Sequence, residues 1–276
     1  MATGVSAEGG SGAANPRNAS QALVALVVAL FFIWGGVTSL NDVLIPKLKG
    51  LYSLSYAEVM LTQFAFFMGY FVFSLPAGTL IARIGYFRGV VVGLLIMAGG
   101  AAAFWPASLA GVYSYYLICL FVIAGGITVL QVAANPLISL LGDELTSSSR
   151  LTFAQAFNSL GTTIWPYVGS SLILAGAAAT DPRTLSGAAL ARFRVAESHV
   201  VAMTYVGIAA VLVVLALIFF AQRDAIREKS PEAVGFGATL ALLGQRRVAF
   251  GVAALFAYVG AEVSIGSMLV NYLQQD

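Results

Sequence analysis

The chain has 276 residues, 59% of them hydrophobic and 9% charged, with 14 Lys and Arg against 12 Asp and Glu. Soluble domains carry about a quarter charged residues, so a water-soluble globule is excluded. A formal charge of +2, scattered along the chain, gives no footprint for a nucleic acid. One cysteine, Cys119, and one histidine, His199, leave no disulfide framework and no Cys/His metal site, and no cofactor is implied.

Crossing a hydrocarbon core of about 30 Å takes roughly 20 apolar residues in a helix. Residues 1–21, rich in Gly, Ala and Ser, read as a disordered leader. Seven apolar stretches follow, and the first, 22–44, is too long for the core of a signal peptide and lacks a cleavage site after it. It puts Trp34, Thr38 and Asn41 on one face, with Asp42 beside Asn41 near its end. Asp42 is either a solvated interfacial acid close to Lys47 and Lys49 or a functional carboxylate, since an acid at membrane depth is costly unless it faces water or a partner.

The second stretch, 57–82, aligns Gln63, Phe67 and Tyr70, and the third, 86–106, contains Gly89 and Gly93 in a GxxxG pattern that predicts close packing within the chain. The fourth, 113–141, carries Gln131 and Asn135 four apart. The fifth, 151–175, carries Gln155 and Asn158, and the sixth is 200–221. After a linker, 222–248, the seventh helix, 249–273, has Glu262 halfway along, where its carboxyl cannot snorkel and exchanges a proton only when water or a cation reaches it.

Amides donate and accept hydrogen bonds and do not titrate. Two per helix on the fourth and fifth helices suit a neutral ligand covered in hydroxyls, whose C–H faces pack on aromatic rings. The other explanation is glue between helices, at about 0.6 kcal/mol per bond. No GxSxG, HExxH or Ser-His-Asp set can be assembled around His199, which argues against an enzyme.

Helices 1 to 3 echo helices 4 to 6. Gln63, Gly69 and Pro76 of the second correspond to Gln155, Gly161 and Pro166 of the fifth, and Asn41 and Pro46 to Asn135 and Pro136. Such a 3+3 inverted repeat is a device of transporters. Basic residues bias the orientation: nine (Arg17, Arg83, Arg88, Arg150, Arg223, Arg227, Lys229, Arg246, Arg247) fall on the N-terminal side and five (Lys47, Lys49, Arg183, Arg192, Arg194) on the other, which predicts a cytoplasmic N-terminus. A second set of six helices does not fit into 276 residues, so the chain is expected to be a fragment or an unusual seven-helix protein.

Five stretches, FFIWGGVTSLNDVLIPKL (31–48), QFAFFMGYFVFSLPAG (63–78), QVAANPLISLLG (131–142), RLTFAQAFNSLGTTI (150–164) and YVGAEVSIGSMLVNYL (258–273), resemble the sugar branch of the major facilitator superfamily that contains the fucose:proton symporter and the glucose/galactose transporters. The resemblance implies an all-α membrane protein: a six-helix N-terminal bundle (22–221) with a 3+3 inverted repeat, a cytoplasmic linker (222–248) and helix 7 (249–276) opening an absent C-terminal bundle. It implies uptake of a monosaccharide by alternating access in a bacterial inner membrane, coupled to protons, with sodium as the rival ion. A transport-incompetent fragment or scaffold is the other alternative.

By the same resemblance Asp42 matches a carboxylate tied to proton coupling; Glu262, in a segment where the fucose branch has a neutral amide, is a second candidate acid from its position in helix 7 alone. Gln155 and Asn158 match sugar-site residues, to which Gln131, Asn135, Asn41, Trp34 and Gln63 are added as candidates. Residues 78–89 resemble the superfamily's loop 2–3 signature, keeping Gly78, Arg83, Gly85 and Arg88, but with Ala82 in place of its usual acid. Gln131 stands where the fucose pattern has a glutamate, which places the chain nearer the glucose/galactose branch.

Overall fold

A computed structural model describes residues 16–173, 184–223, 237 and 241–273 of the chain, and among these there is no strand. The helices are α1 (Pro16–Tyr52), α2 (Tyr56–Ile84), α3 (Tyr86–Ala102), α4 (Phe104–Ala110), α5 (Tyr113–Leu140), α6 (Ser147–Ile173), α7 (Gly187–Ala221) and α8 (Arg246–Leu273). The seven expected helices are thus α1, α2, α3 continued by α4, and α5 to α8.

Several boundaries differ from the sequence expectation, for physical reasons. Helix α1 begins at Pro16, a residue suited to a first helical turn, so the end of the supposed leader is helical. It runs on through Pro46 to Tyr52, so that Lys47 and Lys49 lie in the helix rather than in a loop. Helix α7 starts at Gly187 instead of 200, because GAALARFRVAE is rich in helix formers even though it is too polar to be read as a span. Residues 1–15, 174–183, 224–236, 238–240 and 274–276, which include most of the linker, lie outside the described residues.

By length and apolarity six segments qualify to cross a membrane among the described residues, not seven. Helix α6 is long enough at 27 residues, but Gln155, Asn158, Ser159, Thr162, Thr163 and Ser170 keep it polar. It lies along α1 throughout, which shields part of that polarity. The protein is a multi-pass, all-α membrane protein.

Glycines set the helix spacing. On α6, a methyl at Gly161 would run into the Phe32 carbonyl oxygen, and a methyl at Gly35 on α1 would meet the backbone of Asn158. Gly93 of the GxxxG pair abuts the Leu130 backbone of α5, and Gly89 packs on Ile81 and Ala133. The pattern therefore works inside the chain, as small residues at a helix crossing do. Across α4 and α7, Phe104 and Tyr205 stack face to face, 3.8 Å between centroids.

The internal repeat is visible in the packing. The main partner of α1 is α6 and that of α2 is α5, two pairings that interchange when helices 1 to 3 are laid on 4 to 6, while the contact of α3 with α7 maps onto itself. Gln63 and Gly69 both precede Gln155 and Gly161 by 92 residues. Gly69 is pressed on Phe121 and Ala124 of α5, as Gly161 is on Phe32 and Gly36 of α1. The prolines follow suit: Pro46, Pro76, Pro136 and Pro166 all sit inside helices, tolerated where neighbours re-satisfy the freed backbone groups.

Candidate functional site

Three polar side chains meet near the C-terminal end of α1. Asn41 Nδ2 donates to Gln63 Oε1 at 2.8 Å, and Gln63 Nε2 donates to Asp42 Oδ1 at 2.9 Å. Asn41 and Gln63 are buried, whereas Asp42 is exposed on the bundle surface. The carboxylate is therefore held from behind by a buried amide and open in front. Thr38 donates to the Trp34 carbonyl one turn earlier, and Tyr70 of α2 lies beside both. Trp34 itself is 6% exposed and packs edge-on against Phe31.

A second group lies toward the other end. Gln155 Nε2 donates to Asn135 Oδ1 at 3.3 Å, and Asn158 Nδ2 donates to the Phe31 carbonyl at 3.1 Å. All three side chains are half-buried, as is Gln131 one turn before Asn135. Because Gly35 of α1 touches Asn158, this residue sits seven helical positions below Asp42, about 10 Å along the axis, and Gln155 lies about 15 Å below it. The expected site residues thus form two groups in axial register along one helix pair, not one cluster.

Neither of two apolar grooves includes any of them. One, of about 840 Å³, lies between α1 and α6 and is lined by Val24, Val28, Phe32, Phe153, Phe157 and Leu160, with Arg150 the charged residue of its lining. The other, of about 450 Å³, lies between α6 and α7 around Trp165 and Met203. The amides lie outside both, Asn41 and Gln63 buried and the other four half-buried.

Glu262 is exposed on α8, where every described side chain is exposed except the half-buried Val248 and Val263, so the structure does not bring it to Asp42. Of the residues expected in loop 2–3, Gly78 and Arg83 lie in α2 and Arg88 in α3, all three exposed, and only Gly85 falls between the helices, with φ 83°, a left-handed conformation that disfavours a side chain. Gly85 closes α2 through its N–H to Ile81 and opens α3 in the same residue.

Sequence reasoning missed two polar features. Lys47 Nζ lies 2.7 Å from Glu197 Oε2, with the side chains 7% and 12% exposed, tying α1 to the early part of α7. The first apolar stretch ends at 44 and the sixth begins at 200, which leaves both residues outside them, and only the helix-forming composition of 187–199 points otherwise. The second is Arg150, whose guanidinium donates to the carbonyls of Ile138, Ser139 and Asp143 and so caps the end of α5. A single Arg a few residues past a helix end was the available signal.

The profile of the Major Facilitator Superfamily matches residues 23–276. A glucose/galactose transporter of Brucella abortus is 46% identical over 257 residues, 93% of this chain and 59% of that protein. The L-fucose-proton symporter of Escherichia coli K12 is 34% identical over 260 residues, 91% of this chain and 59% of its own length. The crystal structure of the transporter FucP in the outward conformation superposes with a TM-score of 0.77 at 33% identity, covering 94% of this chain and 64% of that one. The chain therefore spans about three fifths of the length of these relatives.

Proposed function

Since the chain belongs to the Major Facilitator Superfamily, we propose that it forms the N-terminal bundle and helix 7 of a proton-coupled monosaccharide symporter, with glucose, galactose or fucose as the sugar type. The family's transporters are not enzymes, and the proposed work is movement of an unaltered solute. The observation that carries the reading is the arrangement at Asp42: an exposed carboxylate inside the first span, backed by a buried amide, can receive a proton from water without leaving the bundle. The names of the relatives, a glucose/galactose transporter and an L-fucose-proton symporter, support both sugar and proton.

In this proposal Asp42 takes up the proton when its end of the bundle is open to water. Asn158, Gln155, Asn135 and Gln131, on neutral half-buried faces, read sugar hydroxyls, and Trp34, Asn41 and Gln63 complete the sugar site on the side of Asp42. Glu262 is a second proton-exchanging acid once α8 has partners. Rocking of the bundle against a second one exposes the site to either side in turn. The basic-residue bias supports a cytoplasmic N-terminus, and bacterial relatives support an inner-membrane location.

The test is uptake into proteoliposomes by the complete transporter. Asp42→Asn is expected to abolish accumulation driven by a proton gradient while leaving sugar exchange across a gradient-free membrane. Uphill uptake at the wild-type rate would overturn the assignment of the proton to Asp42. Accumulation that requires sodium at fixed pH would replace the coupling ion.

A further inference from the structure

The two amide pairs related by the repeat have opposite polarity, and the difference follows the acid. Beside Asp42 the bond runs from Asn41 Nδ2 to Gln63 Oε1; at the counterpart it runs from Gln155 Nε2 to Asn135 Oδ1, and no acid follows Asn135. An ionised carboxylate only accepts hydrogen bonds, so it draws the Gln63 Nε2 toward itself and leaves Gln63 Oε1 to face Asn41. One consequence is a buried Asn41 Oδ1 with no hydrogen-bond partner. Buried polar atoms are almost always paired, so an orphan marks a place where the network has another arrangement to adopt.

We infer that Gln63 is a positioning residue whose amide, together with that of Asn41, turns over when Asp42 is protonated. This rests on the proposed role of Asp42. The step is a proton transfer from water: an O–H bond forms on the Asp42 carboxylate and no other covalent bond changes. The new hydroxyl donates to Gln63 Oε1, half a turn about each terminal torsion aims Gln63 Nε2 at Asn41 Oδ1, and Asn41 Nδ2 moves into the place that Oδ1 held. The pair then has the polarity already present at Gln155 and Asn135. The charge on Asp42 is in this way registered at Asn41, one turn from Thr38 and on the face that holds Trp34.

Several of the described charged groups at this end are already engaged. Lys47 pairs with Glu197, Glu58 of α2 accepts from Ser55, Arg194 of α7 lies over the Tyr52 ring and Lys49 over the Tyr56 ring. Tyr205 of α7 is buried and within electrostatic reach of Asp42, while Tyr113 of α5 is bonded to Thr62. Among these groups Asp42 is the acid that accepts from a side-chain amide.

The experiment is infrared difference spectroscopy, acidic minus alkaline, on the purified chain in lipid with carbonyl-labelled glutamine. A protonated-carboxyl band that Asp42→Asn removes is expected, accompanied by a shift of one glutamine side-chain carbonyl band that is lost in Gln63→Met and kept in Gln222→Met. Should Gln63→Met fail to fold, Asp42→Asn alone decides, because it must remove the glutamine shift together with the carboxyl band. A carboxyl band without any glutamine shift overturns the inference and leaves the proposed function standing. Absence of the carboxyl band overturns both.

Discussion

The ion pair between Lys47 and Glu197 permits a quantitative test of how α7 is fastened to α1. At 2.7 Å, an effective dielectric of about 20 gives an attraction of about 6 kcal/mol. Removing each ion from water costs several kcal/mol, so the intact pair is close to neutral for stability. Deleting one partner is a different matter, because the remaining charge stays buried and alone. Lys47→Met is expected to cost about 3–5 kcal/mol, and Glu197→Leu a similar amount, while the double variant returns to within about 1 kcal/mol of the parent. Unfolding by a denaturing detergent titrated into mixed micelles, run on all four proteins, gives the coupling energy directly. Lys49→Met serves as the contrast: it loses a cation–π contact with the Tyr56 ring and is expected to cost no more than about 1 kcal/mol. Single variants that cost less than about 0.5 kcal/mol, or a double variant whose loss is the sum of the two, would show that the pair is solvated and that the packing of α7 on α1 excludes less water than the structure implies.

Other predictions concern the helix contacts and the proposed ligand groups. Gly161→Ala is expected to push α6 off the Phe32 carbonyl and lower stability by about 1–3 kcal/mol, whereas Gly78→Ala, which meets open space, is expected to be neutral or slightly stabilising; the same unfolding assay checks both. Gly85→Ala is expected to cost about 1–2 kcal/mol because its left-handed φ is unfavourable for a side chain. Arg150→Ala removes the guanidinium from the Ile138 and Ser139 carbonyls in the last turn of α5 and from that of Asp143 beyond it, and is expected to accelerate amide hydrogen exchange in residues 138–146, measured by mass spectrometry. Asn158→Ala is expected to weaken sugar binding about tenfold, the equivalent of one neutral hydrogen bond, in equilibrium binding to the complete transporter.

Much of the fold was legible because the hydrocarbon core imposes a length on any apolar run. That rule found a helix for every stretch, and it failed where helix and span part company. Residues 187–199 are helical without being apolar, and α6 is a helix of spanning length whose polarity hides it from a hydropathy criterion. The spacing of Gln63 and Gly69 against Gln155 and Gly161 was a usable signal for the repeat, and the matched contacts of the two glycines give it a physical reason. Site residues were legible by type but not by grouping. Asn41 and Gln63 were placed on faces of different helices, and only the pairing of α1 with α2 near Asp42 joins them. In the same way a sequence marks Lys47 as basic, but its burial depends on Glu197, 150 residues away.

The repeat also explains why one bundle can treat its two ends differently. Duplication supplies the same amide pair twice, once at Asn41 and Gln63 and once at Asn135 and Gln155, on opposite sides of the level of Asn158. The residue after each asparagine differs, an acid at Asp42 and Pro136 after Asn135, which makes one pair sensitive to charge and leaves the other neutral. If both ends carried an acid, a proton gradient would act on each with the same affinity and favour neither orientation, since a ligand shifts an equilibrium only through its differential binding to the two states. Under the proposed function the asymmetry is therefore what gives the gradient a direction, and introducing an acid as Pro136→Asp is expected to weaken accumulation relative to exchange. Undiminished uphill uptake in that variant would separate direction from the position of the acid.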